Sequence, residues 1–309
     1  MRRGTIRRRT AATASLMALA AALGLALPAG DAQAYTAAGD RLFPATLLLP
    51  QITPGDEFYI NLFSLPDSPS GVGTTSHAIN LTGTLQKTLT ERLGVSIDET
   101  WTRLDQAGGG ALYGWQNTDT SIKYLAVLDW QHEFVFTAAV DREFGGTGAL
   151  RAGADASGAT TPEFFFGKGM GDLDIGFLRP LALAGFAGYQ IADRTPRPNI
   201  VTGGFVLEYS IPYLESKVQA LDLPDYIRNL TPMTEIAYTI PGGESFGART
   251  TALIAPGISY AGEGWEIAVE GLVPATRATG RGIGVTAQFH LSLDYLAPDT
   301  VGRPLFSGP

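Results

Sequence analysis

The chain has no cysteine, and only three histidines and four lysines among its 309 residues. Without cysteine there are no disulfides, thiolate metal sites or cysteine nucleophiles, and three scattered histidines give no metal-ligand spacing. We therefore expect no metal and no other cofactor. Charged residues make up 17% of the chain, against about 25% in an average soluble domain, whereas 38 glycines and 19 prolines indicate many turns.

Long hydrophobic runs are missing after the first 34 residues, so the sequence predicts no transmembrane helix. Residues 1–34 carry five arginines near their start, then a short apolar run to Leu27, and end on the small residues Ala32 and Ala34. This pattern predicts a Sec-type signal peptide that is cleaved after Ala34. An uncleaved anchor helix is the alternative, although the apolar run is short of the ~20 residues that a bilayer requires.

Positive charge is scarce as well. The formal net charge is −8, and five of the arginines lie in the predicted signal peptide, so the exported part is more acidic still. Because nucleic-acid binding requires a basic surface, we expect no nucleic-acid partner.

The chain contains many segments in which apolar and polar residues alternate. In GIGVTAQFHLSLDY, residues 282–295, the odd positions from Ile283 to Tyr295 are apolar and the even positions are glycine or polar. Successive side chains of a strand point to opposite faces, so this segment is predicted to be a strand with one apolar and one polar face. Similar alternation predicts about twelve strands, near residues 57–64, 77–89, 92–103, 119–128, 133–141, 162–168, 181–191, 205–211, 235–240, 249–260, 265–273 and 283–295.

The connections between these strands alternate in length. Residues 90–94, 129–133 and 261–265 are predicted to be tight turns, whereas 106–117 and 145–161 are long and glycine-rich. Strands of ~10 residues joined in this way are typical of a transmembrane β-barrel. Residues 210–229 are long where a short turn is expected, and they are a candidate helical segment.

We therefore predict an all-β fold, a single antiparallel transmembrane β-barrel of about twelve strands, within a range of ten to fourteen. The barrel would comprise residues 56–296, preceded by a periplasmic or plug segment at 35–55 and followed by a C-terminal extension at 297–309. A sheet in hydrocarbon must close on itself, because lipid cannot satisfy the backbone groups of an open edge. A soluble exported β-sandwich that binds a ligand would show similar alternation and is the alternative.

Polar side chains of the predicted strands would line the lumen of such a barrel. The candidate lumen-facing residues are Glu57, Asp98, Asp119, Lys123, Glu133, Asp141, Glu208, Glu235, Arg249, Glu266, Glu270, Gln288, His290, Ser292 and Asp294. Most of them are acidic, and an acidic lumen attracts cations and repels anions. Aromatic residues near strand ends, such as Tyr209 and Trp265, are predicted to form a girdle at the membrane interface.

Catalysis is a weaker alternative. His290 and Ser292 lie two residues apart on one strand face, as a barrel lipid hydrolase with a histidine-activated serine would require. They fall on the polar face, away from lipid acyl chains, and no Gly-x-Ser-x-Gly elbow follows the signal peptide. We therefore predict that the protein is not an enzyme and has no catalytic residues.

Four segments carry a resemblance to a known family. They are FFFGKGMGDL at 164–173, LRPLALAGFAGYQI at 178–191, FVLEYSIPYL at 205–214 and GRGIGVTAQFHLSLDYLAPDTVGRPLF at 280–306. These segments resemble bacterial outer-membrane transporter-like barrels, which are grouped with the meta-pathway phenol-degradation barrel proteins. The resemblance covers most of residues 55–306 and implies passage of small, hydrophobic or aromatic compounds, with no binding residue carried over. The chain departs from outer-membrane barrels that stop on a terminal aromatic, because it continues past Tyr295.

These patterns predict a pore or transporter for passive passage of small molecules, located in the outer membrane of a Gram-negative cell. Its expected partners are outer-membrane lipid, the barrel assembly machinery and a small-molecule solute, and the oligomeric state is left open. A twelve-strand lumen is narrow enough to be filled. Residues 41–54, which contain Pro44, Pro50 and Pro54, are the candidate plug.

Overall fold

A closed barrel of twelve antiparallel strands dominates the computed structural model, which describes residues 36–69, 75–242 and 248–306. The barrel strands are β3 (Glu57–Ser64), β5 (Thr75–Thr88), β6 (Leu93–Gln106), β8 (Asp119–Asp129), β9 (Phe134–Glu143), β10 (Ala159–Gly169), β11 (Leu181–Ala192), β12 (Ile200–Tyr209), β13 (Leu230–Pro241), β14 (Thr251–Gly262), β15 (Trp265–Pro274) and β16 (Gly284–Ser292). Neighbours in this order pair with each other, and β16 pairs with β3 to close the ring. The predicted strand number is confirmed, and one closed sheet excludes the β-sandwich alternative.

Four short strands of the described ranges lie outside the ring. β1 (Thr36–Ala38) and β2 (Arg41–Phe43) form a hairpin of their own, while β4 (Ser68–Pro69) and β7 (Ala111–Trp115) pair with extended ends of β5 and β6. The predicted loop 106–117 therefore contains a strand. Its glycines allow this, since Gly108 adopts φ 80° at the reversal between β6 and β7.

The two ends of the barrel differ in their connections. One end, here called the terminal end, holds the first residue of β3 and the last residue of β16. The tight turns 89–92, 130–133 and 263–264 and the longer connections 170–180 and 210–229 lie at the same end. The other end, the loop end, holds the remaining connections. The predicted tight turns are present.

In the described residues, helical structure occurs in short pieces at the terminal end and in one loop. Connection 210–229 contains α1 (Ile211–Tyr213), a π turn (Leu214–Val218) and α2 (Asp225–Arg228), and α3 (Leu293–Leu296) follows β16. A 3₁₀ turn (Leu150–Ala152) lies in the connection before β10. Within the described ranges no helix is long and apolar enough to cross a membrane.

Outward side chains along the strands are mainly apolar, and most inward side chains are polar or small, with a few larger apolar ones among them. On β8 the outward Ile122 is 57% exposed, while its neighbours Ser121 and Lys123 are buried. On β16 the outward Val285 is 50% exposed, while Thr286 is fully buried. A soluble sheet protein buries its apolar face, so this barrel is inverted relative to one. The structure thus places the apolar face on the outer surface.

Candidate functional site: a filled lumen

The lumen is occupied by residues 41–54 of the chain itself, here called the inner segment. Its position follows from contacts with strands on separate sides of the barrel: Lys123 of β8 donates to the Gln51 carbonyl at 2.6 Å, and Gln288 of β16 donates to the Thr46 carbonyl at 2.8 Å. A third donor, the Asn61 amide of β3, reaches the Leu47 carbonyl at 3.3 Å. Polar inward side chains therefore satisfy backbone groups that water would otherwise have to meet.

Two wall carboxylates bind the backbone N–H groups of the inner segment. Glu235 of β13 accepts from Leu47 at 2.6 Å and from Leu48 and Leu49 at 3.0 Å each. Glu266 of β15 accepts from Ala45 at 3.2 Å. Three successive N–H groups that converge on one carboxylate form an anion-binding concavity, and such charge-assisted bonds are the strong ones. Glu235 is therefore the principal polar contact of the segment.

The opposite face of the inner segment is apolar and packs on an apolar part of the wall. Its side chains Phe43, Leu47, Leu49 and Ile52 are buried in one cluster with the barrel. The barrel members of this cluster lie mainly on β8 to β13 and comprise Leu125, Val135, Ala139, Phe165, Ala182, Ala184, Val206, Met233 and Ala268. The lumen wall thus carries apolar side chains among its polar ones, and the inner segment contacts both.

Two glycines on the inner wall leave the space that this packing needs. A Cβ at Gly167 of β10 would lie 2.7 Å from Ile52 Cδ1 and 3.1 Å from Phe43 Cε1, and a Cβ at Gly204 of β12 would clash with Leu49. Glycine inside a strand weakens it but permits close approach of another part of the chain. The approaching part here is the inner segment.

Arg41 fixes the start of the inner segment at the terminal end. Its side chain is fully buried, and its guanidinium donates to the carbonyls of Arg179 at 2.5 Å, Pro180 at 2.9 Å and Leu181 at 3.2 Å. The ring of Tyr213 lies beneath the guanidinium, 4.0 Å from its Cζ. A planar five-donor group suits such a site, and lysine does not.

Glu133 completes this anchor. It lies 3.3 Å from Arg41 Nε, and it accepts hydrogen bonds from the Tyr213 hydroxyl at 2.8 Å and the Gly171 N–H at 3.1 Å. Its backbone is left-handed, with φ 49°, which is uncommon for a residue other than glycine. Burial and the bond to Glu133 raise the pKa of Tyr213 to about 12. The unusually long connection 210–229 therefore supplies one wall of the anchor.

The end of the inner segment is also fixed at the terminal end. Asp56, directly before β3, accepts from the Thr88 N–H at 3.0 Å and from the Lys87 ammonium. Lys87 also donates to the carbonyls of Val301 at 3.0 Å and Arg303 at 2.7 Å. The predicted C-terminal extension therefore packs at the same end as the point where the inner segment meets the barrel.

Most of the predicted lumen-facing residues are buried inside the barrel or at its terminal end. The buried ones are Glu57, Lys123, Glu133, Glu208, Glu235, Glu266, Glu270, Gln288, His290 and Ser292. Asp98, Asp119 and Asp141 are half-buried. Arg249 and Asp294 are exposed and lie outside the barrel strands, because β14 begins at Thr251 and β16 ends at Ser292.

The sequence interpretation missed Glu163, the inward apolar residues and the role of Arg41. Glu163 and Phe165 share the inward face of β10, with exposures of 8% and 0%. Three consecutive aromatics obscured the alternation there, so β10 was predicted as the shorter span 162–168. Counting two-residue steps back from Gly169 would have placed Glu163 and Phe165 on one face.

His290 and Ser292 do not form the arrangement that a lipid hydrolase needs. Ser292 Oγ donates to Asp294, while His290 Nε2 lies 3.3 Å from Glu57 Oε2 and its ring meets that of Tyr59 edge-on at 5.8 Å. Both side chains face the filled lumen. In the part of the chain that the structure describes, no group of three or more His, Asp or Glu side chains is placed to hold a metal ion.

Comparisons with known proteins give structural matches only. No family model matches the sequence, and no curated protein sequence gives a significant match. The COG4313 outer membrane channel from Pseudomonas putida F1 aligns with 81% of this chain and 99% of its own, at 13% identity and a TM-score of 0.51. The KdgM porin covers 76% and 98% at 13% identity, with a TM-score of 0.46. LpxR from Salmonella typhimurium covers 76% and 99% at 8% identity, with a TM-score of 0.43.

At these identities the likeness shows the fold alone. The fold is similar to that of the COG4313 outer membrane channel, and a single twelve-strand barrel is the fold that the resemblance of the four sequence segments implied. Membership of the meta-pathway phenol-degradation family stays a prediction.

Proposed function

We propose that this protein is an outer-membrane pore for passive passage of small molecules and that the inner segment is its plug. The observation that carries the proposal is the inverted barrel, which has an apolar outer surface around a lumen lined largely by polar groups. Apolar side chains on the outside of a barrel are stable in the hydrocarbon of a bilayer. Closure of the sheet also leaves no unpaired backbone edge that would have to face lipid.

The aromatic residues support the membrane location. At the terminal end Trp130 is 60% exposed, and the outward rings of Tyr260 and Trp265 lie 5.8 Å apart. Tyr189 is exposed towards the loop end. Amphipathic rings at both ends of an apolar band fit the two membrane interfaces.

The proposed topology follows from outer-membrane assembly. The terminal end would face the periplasm after export through the Sec-type signal peptide and insertion by the barrel assembly machinery. The long loop-end connections would face outward. The solutes would be small organic molecules, including hydrophobic or aromatic ones, since part of the lumen wall is apolar.

Planar bilayer recording tests the pore and the plug together. We expect low, unsteady conductance from the full-length protein and a larger, steady conductance after deletion of residues 41–54. Equal conductance in the two would reject the plug, and the absence of channels in both would reject the pore. A change to slower gel migration after heating checks that each protein was folded. Recovery of the full-length protein in the soluble fraction of cells would reject the membrane location.

A further inference from the structure

The groove that holds the inner segment presents two unlike sets of side chains. Glu235 and Glu266 bind backbone N–H groups of the segment, and Phe165, Val206 and Met233 belong to the cluster that holds its leucine and isoleucine side chains. The inner segment is thus held as an amphipathic body, with N–H donors directed to carboxylates and hydrocarbon directed to hydrocarbon.

The groove wall holds four acidic side chains, whereas the inner segment brings a single cationic side chain, Arg41. Glu208, Glu235, Glu266 and Glu270 are all buried on β12 to β15. Leu47, Leu48 and Leu49 contribute only neutral amides to Glu235. Among the described residues, Oε1 of the buried Glu208 has no hydrogen-bond partner. A buried carboxylate is most stable beside a cation that also donates hydrogen bonds.

We propose that this groove binds small organic cations that carry N–H donors on an apolar or aromatic body, and that these cations displace the inner segment. The inference rests on the proposed pore function, whose solute class it specifies. Such a cation replaces the amide donors at Glu235 with charged ones and replaces the leucine side chains against Phe165 and Met233.

The same two sets of side chains reject other solutes. An organic anion meets the carboxylates of Glu235 and Glu266 and is repelled. A hydrophilic cation without an apolar body leaves Phe165 and Met233 hydrated, so it gains no hydrophobic contribution to binding. A quaternary ammonium has the charge but no N–H to offer the carboxylates. Selectivity therefore depends on three features of the solute: positive charge, N–H donors and an apolar body.

Thiol labelling measures displacement directly, because the chain has no native cysteine. Leu48→Cys places one thiol on the half-buried side of the inner segment. The full-length, detergent-folded protein is labelled with a polar maleimide in the presence of benzamidinium, guanidinium, phenyltrimethylammonium or benzenesulfonate at equal ionic strength. Leu150→Cys, at an exposed loop position, is the matched control for reagent effects.

Benzamidinium is expected to raise the labelling rate of Leu48→Cys about tenfold at a concentration ten times its Kd, since a ligand that binds one state shifts the equilibrium by that factor. Guanidinium, phenyltrimethylammonium and benzenesulfonate are each expected to change the labelling rate less than about twofold, well below the rise expected with benzamidinium. Glu235→Gln should abolish the benzamidinium effect. Equal acceleration by guanidinium or benzenesulfonate, or no acceleration by benzamidinium, would overturn the proposal.

The readout separates this proposal from the proposed function. Labelling reports binding in detergent and needs no conductance. Channels in a bilayer without benzamidinium-dependent labelling would leave the pore standing and reject the site. Benzamidinium-dependent labelling without channels would show the site and reject the pore, and with it the solute assignment.

Discussion

Glu235 and Leu47 are 188 positions apart in the chain, yet the Leu47 N–H donates to Glu235 Oε1 at 2.6 Å in the middle of the barrel. Because the same carboxylate also accepts from the next two residues, it fixes the backbone of the inner segment as well as its position. The lumen is consequently filled by a specific interaction and not by loose chain.

Replacement of Glu235 by glutamine should loosen the inner segment. The amide keeps the size of the side chain but removes the charge and turns one acceptor into a donor that faces other donors. Hydrogen bonds to charged groups contribute ~1.5–3 kcal/mol each, so we expect more frequent openings in single-channel records. Glu91→Gln, in an exposed turn, is the matched control. Indistinguishable records for the two variants would show that Glu235 does not hold the segment.

Gly167→Ala should displace the inner segment by steric conflict. The added Cβ would lie 2.7 Å from Ile52 Cδ1 and 2.9 Å from Val135 Cγ2, inside normal contact distance. Overpacking of this kind costs about 1–3 kcal/mol, which the inner segment can avoid by moving out. Thiol labelling of a cysteine at position 48 should therefore speed up. Gly83→Ala, whose Cβ meets nothing within 4 Å, should leave the rate unchanged.

Tyr213, in the anchor at the terminal end, should ionise at a higher pH than an ordinary tyrosine. Since burial and Glu133 raise the pKa of Tyr213 to about 12, its phenol stays protonated while ordinary tyrosines ionise near pH 10. The unfolded chain then loses that proton first, so the contribution of Tyr213 to stability is intact below pH 10 and is lost between pH 10 and 12. The absorbance difference at 295 nm between the wild type and Tyr213→Phe should have its midpoint near 12.

Glu133→Gln is the companion variant for that titration. It removes the carboxylate that accepts the phenol proton, so the midpoint of the Tyr213 difference curve should fall towards 10. A midpoint that stays near 12 would mean that burial alone perturbs this phenol.

The outer surface should tolerate charge poorly where it meets lipid. Ile122 is an exposed outward residue of β8, and arginine near the middle of a lipid-facing strand costs about 2–4 kcal/mol. Urea unfolding from lipid vesicles should show this loss for Ile122→Arg. Leu150→Arg, exposed in the connection before β10, should show almost none. Equal, small effects would contradict a lipid contact at Ile122.

Much of this fold could be predicted from the sequence because strand alternation is a local property. A two-residue period decided which of Ile267 and Glu266 faces outward without any tertiary information. Chain closure then followed from the need to satisfy edge strands in hydrocarbon.

The candidate site was harder to predict because it depends on contacts between distant parts of the chain. That Glu235 and Glu266 face inward was predictable, but their partners Leu47 and Ala45 lie in a proline-containing segment without periodicity. The inward apolar wall ran against the expectation of a wholly polar lumen. Only the packing of the inner segment explains why Phe165 and Met233 face inward.

The inner segment begins at Arg41 and ends at Pro54, two residues before Asp56, and Arg41 and Asp56 are both bound at the same mouth of the barrel. It therefore enters the barrel, turns inside the lumen and returns to the mouth where it entered. Such a re-entrant segment can leave the lumen only through the terminal end, where both of its ends are attached. A solute that arrives from the loop end would displace the segment in the direction in which it can leave, whereas a solute that arrives from the terminal end would first have to pass the segment.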